Sequence, residues 1–132
     1  IGSGCGYQSA VLSHFANDVF AVERIKPLVS KSRENLSELK IRNVIVKHAD
    51  GFNGWDEDLK FDGIMCAAAP RQYPEELLDL LEVGGKLVIP VGLEGKQKLY
   101  VITKKSETEN EEIVDEEVAF VPMLPGISNG EV

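Results

Sequence analysis

The chain has 132 residues, 43% hydrophobic and 27% charged, an ordinary globular composition with length enough for one core. Its net charge of −8 argues against a nucleic-acid surface, because the basic runs Lys26/Lys31/Arg33 and Lys96/Lys98/Lys104/Lys105 are interrupted or flanked by acids. No apolar run reaches membrane-spanning length, no signal peptide is evident, and Cys5 and Cys66 lack metal-ligand spacing, so a reduced, cytoplasmic, metal-free setting is expected.

The first element is a glycine-rich turn, Ile1-Gly2-Ser3-Gly4-Cys5-Gly6-Tyr7-Gln8, running into a helical stretch over 8–16 with Ala10, Val11, Leu12 and Phe15 as its apolar residues. Glycines let backbone approach a ligand closely, and the free N–H groups of the following helix face it. Such a turn ordinarily follows a buried strand, of which only Ile1 is present, so the chain reads as truncated through a cofactor site.

Short β-rich runs follow at 19–22, 44–46, 64–67, 87–91, 99–103 and 118–121. A helix is expected over 27–39, with Pro27 in its first turn and Leu28, Ser32, Leu36 and Leu39 at helical spacing. Another is expected over 74–81, with Glu75 and Glu76 at its positive end and Gly84-Gly85 stopping it. Strands alternating with helices imply parallel βαβ units. Only a short link around Leu93-Glu94-Gly95-Lys96 joins the run at 87–91 to the run at 99–103, too short for a crossover, so those two should form an antiparallel hairpin. The acidic stretch 106–117 reads as a solvated loop, and the tail after Pro125 as frayed. The expectation is one α/β domain over 1–132, a doubly wound sheet with an antiparallel C-terminal edge.

In such a sheet the ligand lies over the C-terminal strand ends. Glu23 closes the run 19–22 and can accept from both hydroxyls of a ribose; Asp50-Gly51 closes the run after Val44 and can read an adenine edge. Acidic strand ends are also often merely solvated, and Asp-Gly is often only a turn. Taken with the glycine turn, they point to a nucleoside-bearing cofactor. The spacing Gly2-x-Gly4-x-Gly6 puts Tyr7 where a dinucleotide turn, G-x-G-x-x-G, wants its third glycine. That tighter turn suits a phosphate-free cofactor and favours S-adenosylmethionine over NAD, which leaves a dehydrogenase as the weaker reading.

The blander readings stand beside these. Cys5 reads as a small residue beside the ligand rather than a redox thiol, and Cys66 as core rather than nucleophile. His14 and His48 have no Ser or Cys partner at triad spacing and default to structural or surface roles. Trp55 reads as a packing residue under a loop; Tyr7 and Gln8 suit ligand contact and helix-start packing equally.

Several segments together resemble protein-L-isoaspartate O-methyltransferase. They are the glycine turn with Ser9-Ala10, Val22-Glu23-Arg24-Ile25, Asp50-Gly51-x-x-Gly54-Trp55, Phe61-Asp62-Gly63-Ile64, and Ala67-Ala68-Ala69-Pro70. The block 84–92 (Gly-Gly-Lys-Leu-Val-Ile-Pro-Val-Gly) and Phe120-Val121-Pro122 complete the set, in order over nearly the whole chain. The triple alanine with proline and the 84–92 block are the specific parts; the turn and Asp-Gly are shared by many methyltransferases. The resemblance implies a Rossmann-like S-adenosylmethionine-dependent methyltransferase fold. It also implies a repair enzyme that methylates the free α-carboxylate of isoaspartyl residues in damaged proteins, as a monomer and without a metal.

By the same resemblance Gly2, Gly4, Cys5, Gly6, Glu23, Arg24, Asp50, Gly51 and Ala67 would hold the cofactor. Ala68, Pro70, Pro90, Val91 and Gly92 would shape the substrate side. The family's hydroxyl-bearing segment beside the substrate carboxylate would lie upstream of Ile1, so no catalytic residue is assigned and the chain alone is expected to be inactive. A methyltransferase of other specificity and an inactive cofactor-binding module are the alternatives.

Overall fold

The computed structural model describes residues 1–55 and 58–130. They form two compact units, Ile1–Gly51 with Pro125–Val132, and Phe52–Leu124.

In the first unit, helix α1 (Tyr7–Leu12) leads to strand β1 (Val19–Glu23), helix α2 (Lys26–Glu38) and strand β2 (Val44–His48). The strands pair in parallel, Val19 opposite Val44 through Glu23 opposite His48, so both end at the same level. That parallel βαβ unit is the one the alternation implied. Its core is Ala21, Val29, Leu36 and Val46, with Ala10, Ile41 and Val44 packed against it.

Two helical expectations need correction here. The first helix stops at Leu12, leaving Phe15 84% exposed, because Ser13 Oγ donates to Ala10 O and Asn43 Nδ2 donates to the carbonyls of Ser13 and Ala16. Side-chain donors thus satisfy carbonyls that another helical turn would have used. The buried stripe of α2 is Val29, Ser32 and Leu36, whereas Leu39 lies 64% exposed beyond the last turn.

The second unit holds a four-stranded sheet in the order β3-β4-β5-β6, formed by Phe61–Met65, Leu81–Val91, Gln97–Lys104 and Asn110–Val118. Strand β3 runs parallel to β4, and both later pairs are antiparallel. The expected hairpin across Leu93–Lys96 is present, closed by Lys96 N–H donating to Leu93 O. Leu77, Leu81, Leu87, Ile89 and Ile102 are almost fully buried and form the core of this unit.

Helix α3 spans only Glu75–Asp79, and Gly84-Gly85 do not stop it; they lie inside β4. The pairing slips from Phe61↔Leu81 to Gly63↔Lys86, so β4 carries extra residues there, with Gly84 at φ +90. A Cβ on Gly85 would meet Glu82 O at 2.9 Å and Asp62 O at 3.1 Å, so the glycine is required by the bulge.

The acidic stretch expected as a solvated loop is mostly strand. Ser106 Oγ accepts from the N–H groups of Thr108 and Glu109, turning the chain into β6, which pairs with β5 from Asn110 to Val118. The run expected over 118–121 contributes only Val118 to that strand; Pro122 instead bridges Ala69 in parallel.

The tail is not frayed through Gly130. Ser128 pairs with the backbone on either side of Ile25, and Gly126 is bonded to Asp50. Among the described residues no helix is long and apolar enough to cross a membrane, and no group of three His, Cys, Asp or Glu could hold a metal ion.

Candidate cofactor site

The glycine turn is built as its composition requires. Gly2, Gly4 and Gly6 take φ values of +80, +54 and +93, a region that costs residues with a Cβ about 1–2 kcal/mol each. Gly6 N–H closes the turn on Ser3 O at 2.9 Å, and the N–H groups of Gly2 and Ser3 share Val22 O at the end of β1. Asn35 of α2 holds the far side through Nδ2 to Cys5 O at 2.9 Å.

Glu23 is the hub of this end of the sheet. It is 6% exposed, and its two carboxylate oxygens accept from the backbone on either side: Gly4 N–H to Oε1 at 3.0 Å and Ile25 N–H to Oε2 at 2.9 Å. A carboxylate offers about four acceptor positions. Two backbone donors therefore fix its orientation and leave capacity on each oxygen for the vicinal hydroxyls of a ribose. Glu23 O accepts from Ala49 N–H at 3.1 Å, which joins this strand end to the one that presents Asp50. Asp50 is half-buried, and its Oδ2 accepts from Gly126 N–H at 2.8 Å; Gly51 beside it is buried.

The glycines differ in what their missing side chains permit. A Cβ on Gly4 would meet nothing within 4 Å, so the space above it is open. A Cβ on Gly6 would sit 2.8 Å from Ser32 Oγ, so this glycine serves close packing of the turn on α2. Neither Ser3 Oγ nor Ser32 Oγ, both buried, has a hydrogen-bond partner among the described residues. An open glycine cradle, an orphaned hydroxyl at Ser3 and an oriented carboxylate fit a ribose-bearing group with a polar tail.

The remaining sequence-chosen residues fall into two sets. In the first unit Cys5 is exposed on the turn, and Arg24 is half-buried, its Nε without a partner among the described residues. In the second unit Pro70 and Gly92 are brought together, Gly92 N–H donating to Pro70 O at 2.9 Å. Gly92 has φ +134, and a Cβ there would meet Lys96 O at 2.6 Å, so the hairpin itself requires glycine. Pro90 and Val91 are buried at the end of β4, and Ala67 and Ala68 are half-buried.

Ala69 is held between Val121 and Met123, donating to Val121 O at 2.8 Å and accepting from Met123 N–H at 2.9 Å. Trp55 is buried and Cys66 lies in the core. His48 is structural: its Nε2 lies 2.9 Å from Arg24 O and 3.1 Å from Ser128 O. A cleft of about 450 Å³ in the first unit is lined by Arg33, Leu36, Lys40, Ile41, Arg42 and Val46 and includes none of the strand-end residues. What sequence reasoning missed at the site is Gly126 and Ser128, for which no motif gives a signal.

A parallel βαβ unit with a glycine turn bonded to an acidic strand end, in a chain that also holds a sheet with an antiparallel C-terminal edge, belongs to the Rossmann-like methyltransferase class. A solved structure named protein-L-isoaspartate O-methyltransferase superposes with a TM-score of 0.86 at 26% identity, covering 96% of this chain and 41% of that one. A Plasmodium falciparum structure in complex with S-adenosyl-L-homocysteine, provisionally named for the same activity, gives a TM-score of 0.72 at 34% identity, covering 93% of this chain and 63% of that one.

The sequence pattern of the protein-L-isoaspartate(D-aspartate) O-methyltransferase family (PCMT) matches residues 1–127, and the chain belongs to that family. The protein-L-isoaspartate O-methyltransferase of Methylobacillus flagellatus is 50% identical over 129 residues, 96% of this chain. The chain spans 57% of the length of that relative.

Proposed function

We propose that this chain is the cofactor-binding core of an enzyme that transfers a methyl group from S-adenosylmethionine to the α-carboxylate of L-isoaspartyl residues in damaged proteins. The observation that carries the cofactor assignment is Glu23, held by Gly4 N–H and Ile25 N–H with an acceptor lobe to spare on each oxygen. Family membership supports the substrate class. The bound cofactor would supply an electrophilic methyl group on a positively charged sulfur.

On this reading the chain's residues bind and align rather than move protons. The acceptor carboxylate is ionised near neutral pH, so no strong base is required, and rate comes from orientation in a water-poor pocket. Glu23 would take the ribose hydroxyls and Asp50 with Gly51 the adenine edge. The open face of Gly4 would receive the methionine end, with Gly2, Cys5, Gly6, Arg24 and Ala67 completing the cofactor contacts. Ala68, Pro70, Pro90, Val91 and Gly92 would form the substrate side; the hydrogen bond between Pro70 and Gly92 supports treating them as one feature. Unpaired cysteines at positions 5 and 66 support a reducing, cytoplasmic setting, and the net charge of −8 supports a protein rather than a nucleic-acid substrate. A monomer is the proposed state.

Calorimetric titration with S-adenosylhomocysteine tests the cofactor half. The expected result is saturable 1:1 binding, weakened at least tenfold by Glu23→Ala, and no binding of NADH. Binding that is indifferent to Glu23→Ala removes the reading. Methyl transfer to an isoaspartyl peptide but not to its aspartyl twin, by a protein carrying this chain, tests the substrate half.

A further inference from the structure

We infer that the segment Gly126–Ser128 is a built-in competitor for the adenine end of the cofactor site, a strap that must leave before the cofactor seats fully. The inference rests on the cofactor reading above and adds a regulation to it. This segment engages residues on either side of the strand ends. Gly126 N–H donates to Asp50 Oδ2 at 2.8 Å, a carboxylate oxygen assigned to the adenine edge. Ser128 N–H donates to Arg24 O at 2.7 Å, and Ser128 O accepts from Lys26 N–H at 2.8 Å, so the strap adds one parallel strand step beside Ile25. His48 Nε2 lies 3.1 Å from the same Ser128 oxygen and fixes it from the side of β2. Gly130 then packs so closely on Pro27 that a Cβ there would lie 2.7 Å from the ring.

The competition is one of place rather than of acceptor capacity. Gly126 N–H sits on Asp50 Oδ2, and the backbone runs on from there to pair at Ser128 beside Ile25, so a base read by Asp50 would meet this segment at the strand ends. Gly126 reaches Asp50 from a φ of +75, a conformation that a residue with a Cβ would adopt only under strain. The bonds from Gly126 N–H to Asp50 and from Ser128 N–H to Arg24 O are made by strap backbone, so loss of either N–H removes one of them. A site competent only when the strap is off binds with its intrinsic dissociation constant divided by the open fraction.

The test titrates S-adenosylhomocysteine into the full chain and into Gly126→Pro and Ser128→Pro, each of which removes one strap donor, with Glu23→Ala as the control for the site. The expected result is binding tighter by roughly tenfold in both proline variants. In the unaltered chain, the Ser128 amide should be protected from hydrogen exchange and lose protection as ligand is added. The exchange experiment needs no substitution, so it stands even if a variant folds poorly. Equal or weaker binding by both proline variants, with Glu23→Ala abolishing binding, overturns the strap and leaves the cofactor reading intact. A Ser128 amide that gains protection on ligand addition overturns it too, because the segment would then close over the ligand. Absence of binding by the unaltered chain and both variants removes the cofactor reading and the strap with it.

Discussion

Gln97 and Phe120 exchange two hydrogen bonds: Phe120 N–H donates to Gln97 Oε1 at 2.7 Å, and Gln97 Nε2 donates to Phe120 O at 3.0 Å. A side-chain amide here does what a neighbouring strand would do, and it does so at the point where β6 has ended and the chain turns toward Ala69. Gln97 is 2% exposed, so its replacement leaves a buried gap as well as two unmatched backbone groups. Gln97→Ala should lower unfolding free energy by about 2 kcal/mol, roughly one per lost bond. Urea denaturation measures it. An unchanged midpoint, or a Phe120 amide that exchanges no faster than before, would show that the pair carries no stability.

The contact between Gly6 and Ser32 makes a second prediction, about the turn. An alanine at position 6 must adopt φ +93 and put its methyl group 2.8 Å from a serine oxygen on a fully buried helix face. Gly6→Ala should cost about 1–3 kcal/mol by strain and overpacking together. Ser32→Gly opens the space but not the dihedral angle, so the double variant should recover part of the loss, with a coupling of about 0.5–2 kcal/mol. Strict additivity in a double-mutant cycle would mean that the two residues do not press on one another.

These two relationships mark where sequence reading succeeds and stops. The glycine turn and the strand-end positions of Glu23 and Asp50 are legible because clustered glycines and acids closing apolar runs are visible in the sequence, and β1, β2 and β5 because apolar runs of that length have few other uses. The hairpin after Val91 is legible from chain length alone. Strand β6 is not: Glu111 through Glu117 are exposed on both faces, so nothing alternates, and the element exists because β5 offers a free edge. Gly84-Gly85 carry the signature of a helix stop, yet they serve a bulge that depends on Asp62 of a strand twenty residues earlier. Of the spacing Leu28, Ser32, Leu36 and Leu39 expected for α2, Ser32 and Leu36 are buried together with Val29, whereas Leu39 is exposed; a small side chain at 32 is what fits beneath Gly6.

The two thiols should separate by reactivity. Cys5 is exposed on the turn, whereas burial pushes the Cys66 thiol up from 9.0 to about 11. A thiol with a raised folded-state pKa contributes stability that is complete below the unfolded value and is lost as pH climbs through the folded one. Cys66 therefore supports the fold up to about pH 9 and stops doing so between there and about pH 11. Iodoacetamide at pH 8 should label Cys5 alone, and Cys66 only with denaturant present. Across pH 9 to 11 the native chain should lose melting temperature more steeply than Cys66→Ala. Parallel profiles for the two proteins would remove the assignment.

Lys104 is the test of how α3 ends. Its ammonium is buried and donates to Leu78 O at 3.3 Å and Leu81 O at 3.1 Å, while Lys60 Nζ takes Asp79 O. Two cations thus occupy carbonyls left over where the short helix stops, the end at which positive charge is favoured. Glu107, 3.5 Å from Lys104 Nζ, is 79% exposed and screened by water, so the carbonyls rather than the ion pair hold the ammonium in place. Lys104→Met keeps the apolar stem and removes the donor, leaving buried acceptors unmatched. It should cost about 1–3 kcal/mol, with the loss unchanged between low and high salt. Glu107→Gln should move the urea midpoint little. If Glu107→Gln costs as much as Lys104→Met, and added salt reproduces the loss, the ion pair is the source of the stability and the carbonyl contacts are incidental.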